Sequence, residues 1–221
     1  VKAIVLNFPS NPTGVTYTKE ELTALAEAIK QYEMFVISDE IYSELTYGVE
    51  HVSMAKLLPE QTILINGASK SFAMTGWRVG FIAAKKQWIP PIFKVHQTVV
   101  TTGVTVSYAA AAEAFRNSEA DIERMREAYE VRRNICLAAL QDAGFSVPEP
   151  KGAFYVFARI PEKFGTDDLT FCQILAKEAR VGMIPGSIFG PGGEGYVRMS
   201  FALATDLVTE AMRRVSMFVG K

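Results

Sequence analysis

Asp39, Lys70, Arg78 and Arg198 each stand where an apolar run of the chain begins, ends or is interrupted by charge. Residues of these types do acid–base, covalent and anion-binding chemistry when a fold gathers them. Lys70 follows the small residues Gly67-Ala68-Ser69, which allow its amine to approach a bound group closely. Tyr42 lies three residues after Asp39, and Asn11 sits in the dense turn signal Pro9-Ser10-Asn11-Pro12-Thr13-Gly14. Taken singly, each has an ordinary explanation. Lys70 reads equally as a solvated surface lysine, Asp39 as a helix cap, and Tyr42 as core packing with its hydroxyl at the rim. Arg78 and Arg198 read as surface charges, although Arg198 stands between Val197 and Met199 in an apolar strand. Alternation turns it away from both neighbours, toward solvent or a polar cleft.

The elements around these residues decide whether they meet. Ala3-Ile4-Val5-Leu6-Asn7 is a short apolar run. Thr18 with Glu21 offers a capping box, and Leu22, Leu25, Ala26 and Ile29 follow at helical spacing, so residues 19–32 read as an amphipathic helix. Met34-Phe35-Val36-Ile37 and Thr62-Ile63-Leu64-Ile65 are continuously apolar, the mark of a parallel sheet covered on both faces. Ligands of such sheets gather beyond the carboxyl ends of the strands. The spacing therefore places the Asn11 loop, Asp39 and Lys70 along one edge. Val79–Ala84 follows too soon for a parallel crossover, so it runs antiparallel and returns Arg78 to the same edge.

Beyond residue 85, helices are expected over 87–97, 104–116 and 119–142, then a strand over 152–157, a helix over 167–180, a strand over 196–201 and a helix over 205–219. The fold class is α/β, a mostly parallel sheet with one antiparallel strand, followed by a smaller α+β part. A boundary is read at residue 100, with 1–100 as one domain and 101–221 as the other.

Composition narrows the classes further. Lys+Arg 23 against Asp+Glu 24 gives a formal charge of −1, without the cationic excess of a nucleic-acid binder. Cys136 and Cys172, with His51 and His96, form neither a disulfide framework nor a metal-ligand spacing. No apolar run reaches the roughly 18 residues of a membrane span. Gly190–Gly195 formally matches G-x-G-x-x-G, but a strand rather than a helix is expected after it, which suits a turn. Gly67-Ala68-Ser69-Lys70-Ser71 lacks the second glycine and the Gly-Lys pair of a phosphate loop.

In order, Asn11-Pro12-Thr13-Gly14, Asp39-Glu40-Ile41-Tyr42, Ser69-Lys70-Ser71-Phe72-Ala73-Met74-Thr75-Gly76-Trp77-Arg78-Val79-Gly80, Gly152-Ala153-Phe154-Tyr155, Pro185-Gly186-Ser187 and Tyr196-Val197-Arg198-Met199-Ser200 span the chain. Together they resemble the class I aminotransferases of the pyridoxal-phosphate fold-type I superfamily, in the style of the aspartate and aromatic branch. The resemblance implies pyridoxal 5'-phosphate as cofactor, with Lys70 as the amine that joins its aldehyde and then moves the substrate's Cα proton. It implies Asp39 at the pyridine nitrogen, Tyr42 and Asn11 at the phenolic oxygen, Arg78 at the phosphate, and Arg198 (with Asn11) at the substrate's α-carboxylate. Many relatives carry Ser at the position of Gly67 as a phosphate ligand; Ser69 is the substitute available here.

The same resemblance implies amino acid and 2-oxo acid substrates, aromatic or acidic ones favoured, and a cytoplasmic homodimer without nucleic acid or membrane partners. It places the chain in the C-terminal portion of a family member, so a longer polypeptide and an inactive isolated fragment are expected. Two alternatives share these residues: a carbon–sulfur β-lyase of the same fold, and an aminotransferase-like sensor domain of a transcription regulator.

Overall fold

The computed structural model describes residues 1–220. It divides into two compact units, Val1–Pro9 with Thr16–Arg126, and Ser10–Val15 with the chain from Glu127 onward. The first contains β1 (Ala3–Asn7), α1 (Lys19–Lys30), β2 (Phe35–Asp39), α2 (Met54–Leu57), β3 (Thr62–Gly67), α3 (Ala68–Ser71), β4 (Gly80–Ala83), α4 (Ile89–Val99) and α5 (Thr105–Asn117). The long helix α6 (Glu119–Asp142) begins in it.

The sheet of the first unit has the order β1-β2-β3-β4. β1, β2 and β3 are parallel, and β4 pairs antiparallel with β3, as the short connection requires. Asn7 lies opposite Asp39 and Gly67 opposite Gly80. The carboxyl ends of three strands and the start of the fourth thus share one edge. α1 begins at the expected capping box: Glu21 N–H donates to Thr18 Oγ1 at 3.2 Å and Thr18 N–H to Glu21 Oε2 at 2.8 Å. Its buried face, Leu22, Ala26 and Ile29, packs with Leu6, Val36, Met54 and Leu58. Helix α5 sets Ala111 against Ala68 and Met74. Its Phe115 ring meets Phe72 and Phe81 edge-on, at 4.7 and 5.8 Å between centroids.

The second unit contains β5 (Tyr155–Arg159), α7 (Asp168–Glu178), β6 (Ile184–Pro185), β7 (Tyr196–Ser200) and α8 (Thr205–Val219). Its antiparallel sheet has the order β5-β7-β6. Val156, Leu175, Val197, Phe201, Met212 and Val215 are buried in its core.

β5 starts at Tyr155 and not at Gly152, because Ala153 takes a left-handed φ of 57° that breaks an extended run. The two-residue strand β6 and the single turn α2 have no counterpart in the sequence reading. Both are too short for a periodic signal.

Candidate functional site

The first unit builds one cluster from three chain turns. Asp39 ends β2, half-buried, and its Oδ1 accepts from Ile41 N–H at 3.2 Å. Ser43 N–H donates to the Glu40 carbonyl and Leu45 N–H to the Tyr42 carbonyl, both at 2.9 Å. This tight turn carries Tyr42 into a buried position. Lys70 lies in α3, the single helical turn that follows β3, with Nζ 5.7 Å from the centroid of the Tyr42 ring. Burial, and then the nearby Arg78 guanidinium, push the Lys70 amine below its ordinary pKa. Burial strips water from the charged ammonium, and Arg78 disfavours a second positive charge beside its own.

Arg78 follows the 3-10 turn Thr75–Trp77 with a left-handed φ of 56°. A non-glycine residue held there is strained, a condition that clusters at functional sites. Its Nη1 donates to the Thr75 carbonyl at 2.9 Å, which leaves most of the guanidinium fork exposed. Ser69 is half-buried beside Lys70 in α3. Gly67 is there for close approach: a Cβ would meet the Val79 carbonyl oxygen at 2.6 Å and Gly80 Cα at 2.8 Å. With β4 this near, a serine has no room unless the strand shifts.

The second unit builds another cluster. Arg198 Nη1 donates to Asn11 Oδ1 at 2.8 Å. Its guanidinium carbon lies 4.6 Å from the Tyr155 ring centroid and 4.9 Å from that of Phe189. Its Nε is buried and has no hydrogen-bond partner among the described residues. Neighbours Val197 and Met199 are buried on the opposite face, as alternation demands. Asn11 is held through its own loop: Gly152 N–H donates to the Gly14 carbonyl at 2.9 Å. Gly14 has a φ of +71°, and a Cβ on it would meet the Tyr155 carbonyl at 2.8 Å.

Asn11 and Arg198 are therefore brought together in one unit. Asp39, Tyr42, Ser69, Lys70 and Arg78 belong to the other.

The aromatic flank of Arg198 escaped the sequence reading. Phe157 is the cross-strand partner of Arg198, so Tyr155 is its diagonal neighbour, a signal available only once the register is known. Asp168 was also missed. Its buried carboxylate accepts Ser187 N–H at 2.8 Å and Gly195 N–H at 3.5 Å, pinning both ends of the glycine-rich segment. Gly190, Gly192 and Gly195 take left-handed φ values in that segment, and β7 follows it. It is a turn, not a nucleotide loop. Among the described residues, no group of three or more His, Cys, Asp and Glu could hold a metal ion, and no helix is long and apolar enough to cross a membrane.

Comparison with known proteins gives the same direction as the motifs. Residues 1–215 match the family model described as aminotransferase class I and II. The chain is 47% identical over 220 residues to the probable N-acetyl-LL-diaminopimelate aminotransferase of Bacillus subtilis (strain 168), covering 100% of this chain and 56% of that protein. It is 41% identical to aromatic-amino-acid aminotransferase 2 of Thermococcus litoralis, covering 97% of this chain and 56% of that one. The crystal structure of an aromatic aminotransferase from Pyrococcus horikoshii OT3 superposes with a TM-score of 0.94 at 41% identity, over 99% of this chain and 60% of that chain. The chain thus spans somewhat more than half the length of the curated relatives it matches. A family match running through nearly the whole sequence, on a fold that carries the ordered motifs in place, makes this chain a member of the class I and II aminotransferase family.

Proposed function

We propose that the protein carrying this chain moves an amino group between an amino acid and a 2-oxo acid, using pyridoxal 5'-phosphate attached at Lys70. The observation that carries the reading is the Lys70 amine, set beside Tyr42 and lowered in basicity by burial and Arg78. The donor set suits this cofactor: an amine for an aldehyde, a carboxylate for a pyridinium, a phenol for a phenolate, and a guanidinium with Ser69 for a phosphate. When bound, the cofactor supplies an aldehyde and a ring that accepts electrons.

The chain's own groups supply the rest. Lys70 Nζ is the nucleophile and afterwards takes and returns the proton at the substrate's Cα. Asp39 holds a proton on the ring nitrogen. Tyr42 donates to the phenolic oxygen, and Asn11 offers its Nδ2–H while its Oδ1 orients Arg198. Arg198, flanked by Tyr155 and Phe189, presents its guanidinium fork to the substrate's α-carboxylate.

Amino-group transfer is favoured over β-elimination and over ligand sensing because the relatives compared are aminotransferases. An aromatic substrate is supported by the name of the Thermococcus litoralis relative, and an acidic one by relatives named aspartate aminotransferase, 42% identical. A large-domain origin for residues 1–100, a small-domain origin for 101–221, a cytoplasmic location and a homodimer belong to the same proposal. Large apolar side chains left exposed in the first unit, among them Phe81, Phe93 and Val99, support further burial there.

The test is borohydride reduction after mixing with stoichiometric pyridoxal phosphate, followed by peptide mapping. Label confined to Lys70 is expected. Label scattered over other lysines, or no label, overturns Lys70 as the attachment point.

A further inference from the structure

Glu40 lies between Asp39 and Tyr42 in the chain, yet it points into the protein and not toward the cofactor-binding candidates. Its side chain is 5% exposed. One oxygen, Oε1, accepts from Ser38 Oγ at 2.8 Å, Ser53 Oγ at 3.0 Å and Met54 N–H at 3.1 Å. The other, Oε2, meets His51 Nε2 at 2.9 Å. A carboxylate buried this far is costly unless every lone-pair direction finds a donor. Here burial opposes ionisation, and the bonds from His51 and Ser38 outweigh it, so Glu40 stays below its ordinary pKa.

The partners come from three places. Ser38 is in β2, His51 is in the loop that closes the turn, and Ser53 and Met54 start α2, where Ser53 Oγ also caps Ala55 N–H at 3.2 Å. The backbone of Glu40 adds two more ties: its N–H donates to the Ile65 carbonyl in β3, and its carbonyl accepts from Ser43 N–H, both at 2.9 Å. The segment from Asp39 to Ser53 is therefore tied at both ends, the exit from β2 and the start of α2, through one side chain. Between those ends lie the Asp39 carboxylate and the Tyr42 ring that faces Lys70.

We propose that Glu40 is a positioning residue: its carboxylate, gripped by Ser38, His51, Ser53 and Met54, fixes the Asp39–Tyr42 turn and through it the surroundings of Lys70. The inference rests on the cofactor reading for its consequence and on the hydrogen bonds alone for its geometry. The two are separable.

In the protein, Glu40→Ala and Glu40→Asp are compared with Glu40→Gln. Alanine removes the acceptor and aspartate is too short to reach it, whereas glutamine keeps an oxygen at the position of Oε1 and can donate to an unprotonated His51 nitrogen. Amide hydrogen exchange at Ser43 and Leu45 is expected to quicken about tenfold in the alanine and aspartate variants, with the β5–β7 ladder unchanged and glutamine within about threefold of wild type. With cofactor bound, the pH midpoint of its visible absorbance is expected to move in the first two variants and stay near wild type in the third. A purely structural role would lower the melting temperature and leave that midpoint alone.

Unchanged exchange in folded Glu40→Ala, an unmoved midpoint, or glutamine as damaging as alanine overturns the proposal. Should Glu40→Ala fail to fold, Ser53→Ala removes a single donor and is expected to quicken exchange at Ser43 about threefold; no change there is equally fatal. A wild-type protein that takes no cofactor at Lys70 defeats the functional reading, and the exchange data still decide the positioning.

Discussion

Arg198 and Asn11 are 187 positions apart in the chain and share a 2.8 Å hydrogen bond within one compact unit. The bond fixes one arm of the guanidinium, and the rings of Tyr155 and Phe189 flank the whole group. A planar fork held in this way is preorganised to receive a carboxylate.

Arg198→Lys should therefore act as a severe change. An ammonium cannot hold Asn11 and both carboxylate oxygens in one plane, so KM for the amino acid should rise about 10- to 100-fold. Steady-state kinetics with the melting temperature measured in parallel checks this, because the substitution at a half-buried surface position should leave the fold intact.

Arg78→Met should raise the basicity of Lys70. Removing the guanidinium takes away the repulsion that helps keep the amine uncharged, leaving burial as the remaining cause. Less free amine is then present at neutral pH, so attachment of an aldehyde at Lys70 should slow. Its rate plotted against pH should move toward that of an ordinary lysine, and a profile that stays in place would deny Arg78 the electrostatic role.

Gly67→Ser tests why the serine expected from relatives is absent. The added Cβ meets the Val79 carbonyl oxygen at 2.6 Å and Gly80 Cα at 2.8 Å, and backbone cannot turn aside as a flexible side chain can. A loss of about 1–3 kcal/mol in urea unfolding is expected, typical of an overpacked site.

Asp168 should govern acid stability of the second unit. Burial raises its pKa, but the bonds from Ser187 outweigh that, and the folded-state value lies below the ordinary one. Its contribution is therefore complete above the unfolded-state pKa and disappears as pH falls through the lower folded-state value. Asp168→Asn should flatten the fall in melting temperature across that acidic window while lowering stability at neutral pH.

Much of this architecture is legible residue by residue. The Thr18–Glu21 capping box marks the start of α1, and α8 runs over Thr205–Val219 as its periodicity indicates. The antiparallel sense of β4 follows from a connection too short for a crossover. These signals are local: a cap, a period and a loop length each act within a few residues of themselves. Ordered motifs likewise mark Asp39, Tyr42, Lys70 and Arg78 as a set, since one sheet edge collects the ends of successive strands.

Other features need contacts between distant segments. Tyr155 reaches Arg198 through the β5–β7 register and Phe189 through the turn that follows β6, itself paired with β7, and Ala153 adopts its left-handed turn where the Gly14 loop bonds to Gly152. Glu40 looks in sequence like one more polar residue of a turn, and its partners beyond Ser38 gather only when the His51–Met54 segment returns to it. Local rules set where elements begin and end. Which side chain meets which across them is a matter of packing and hydrogen-bond satisfaction, and those forces act only once the distant segments have come together.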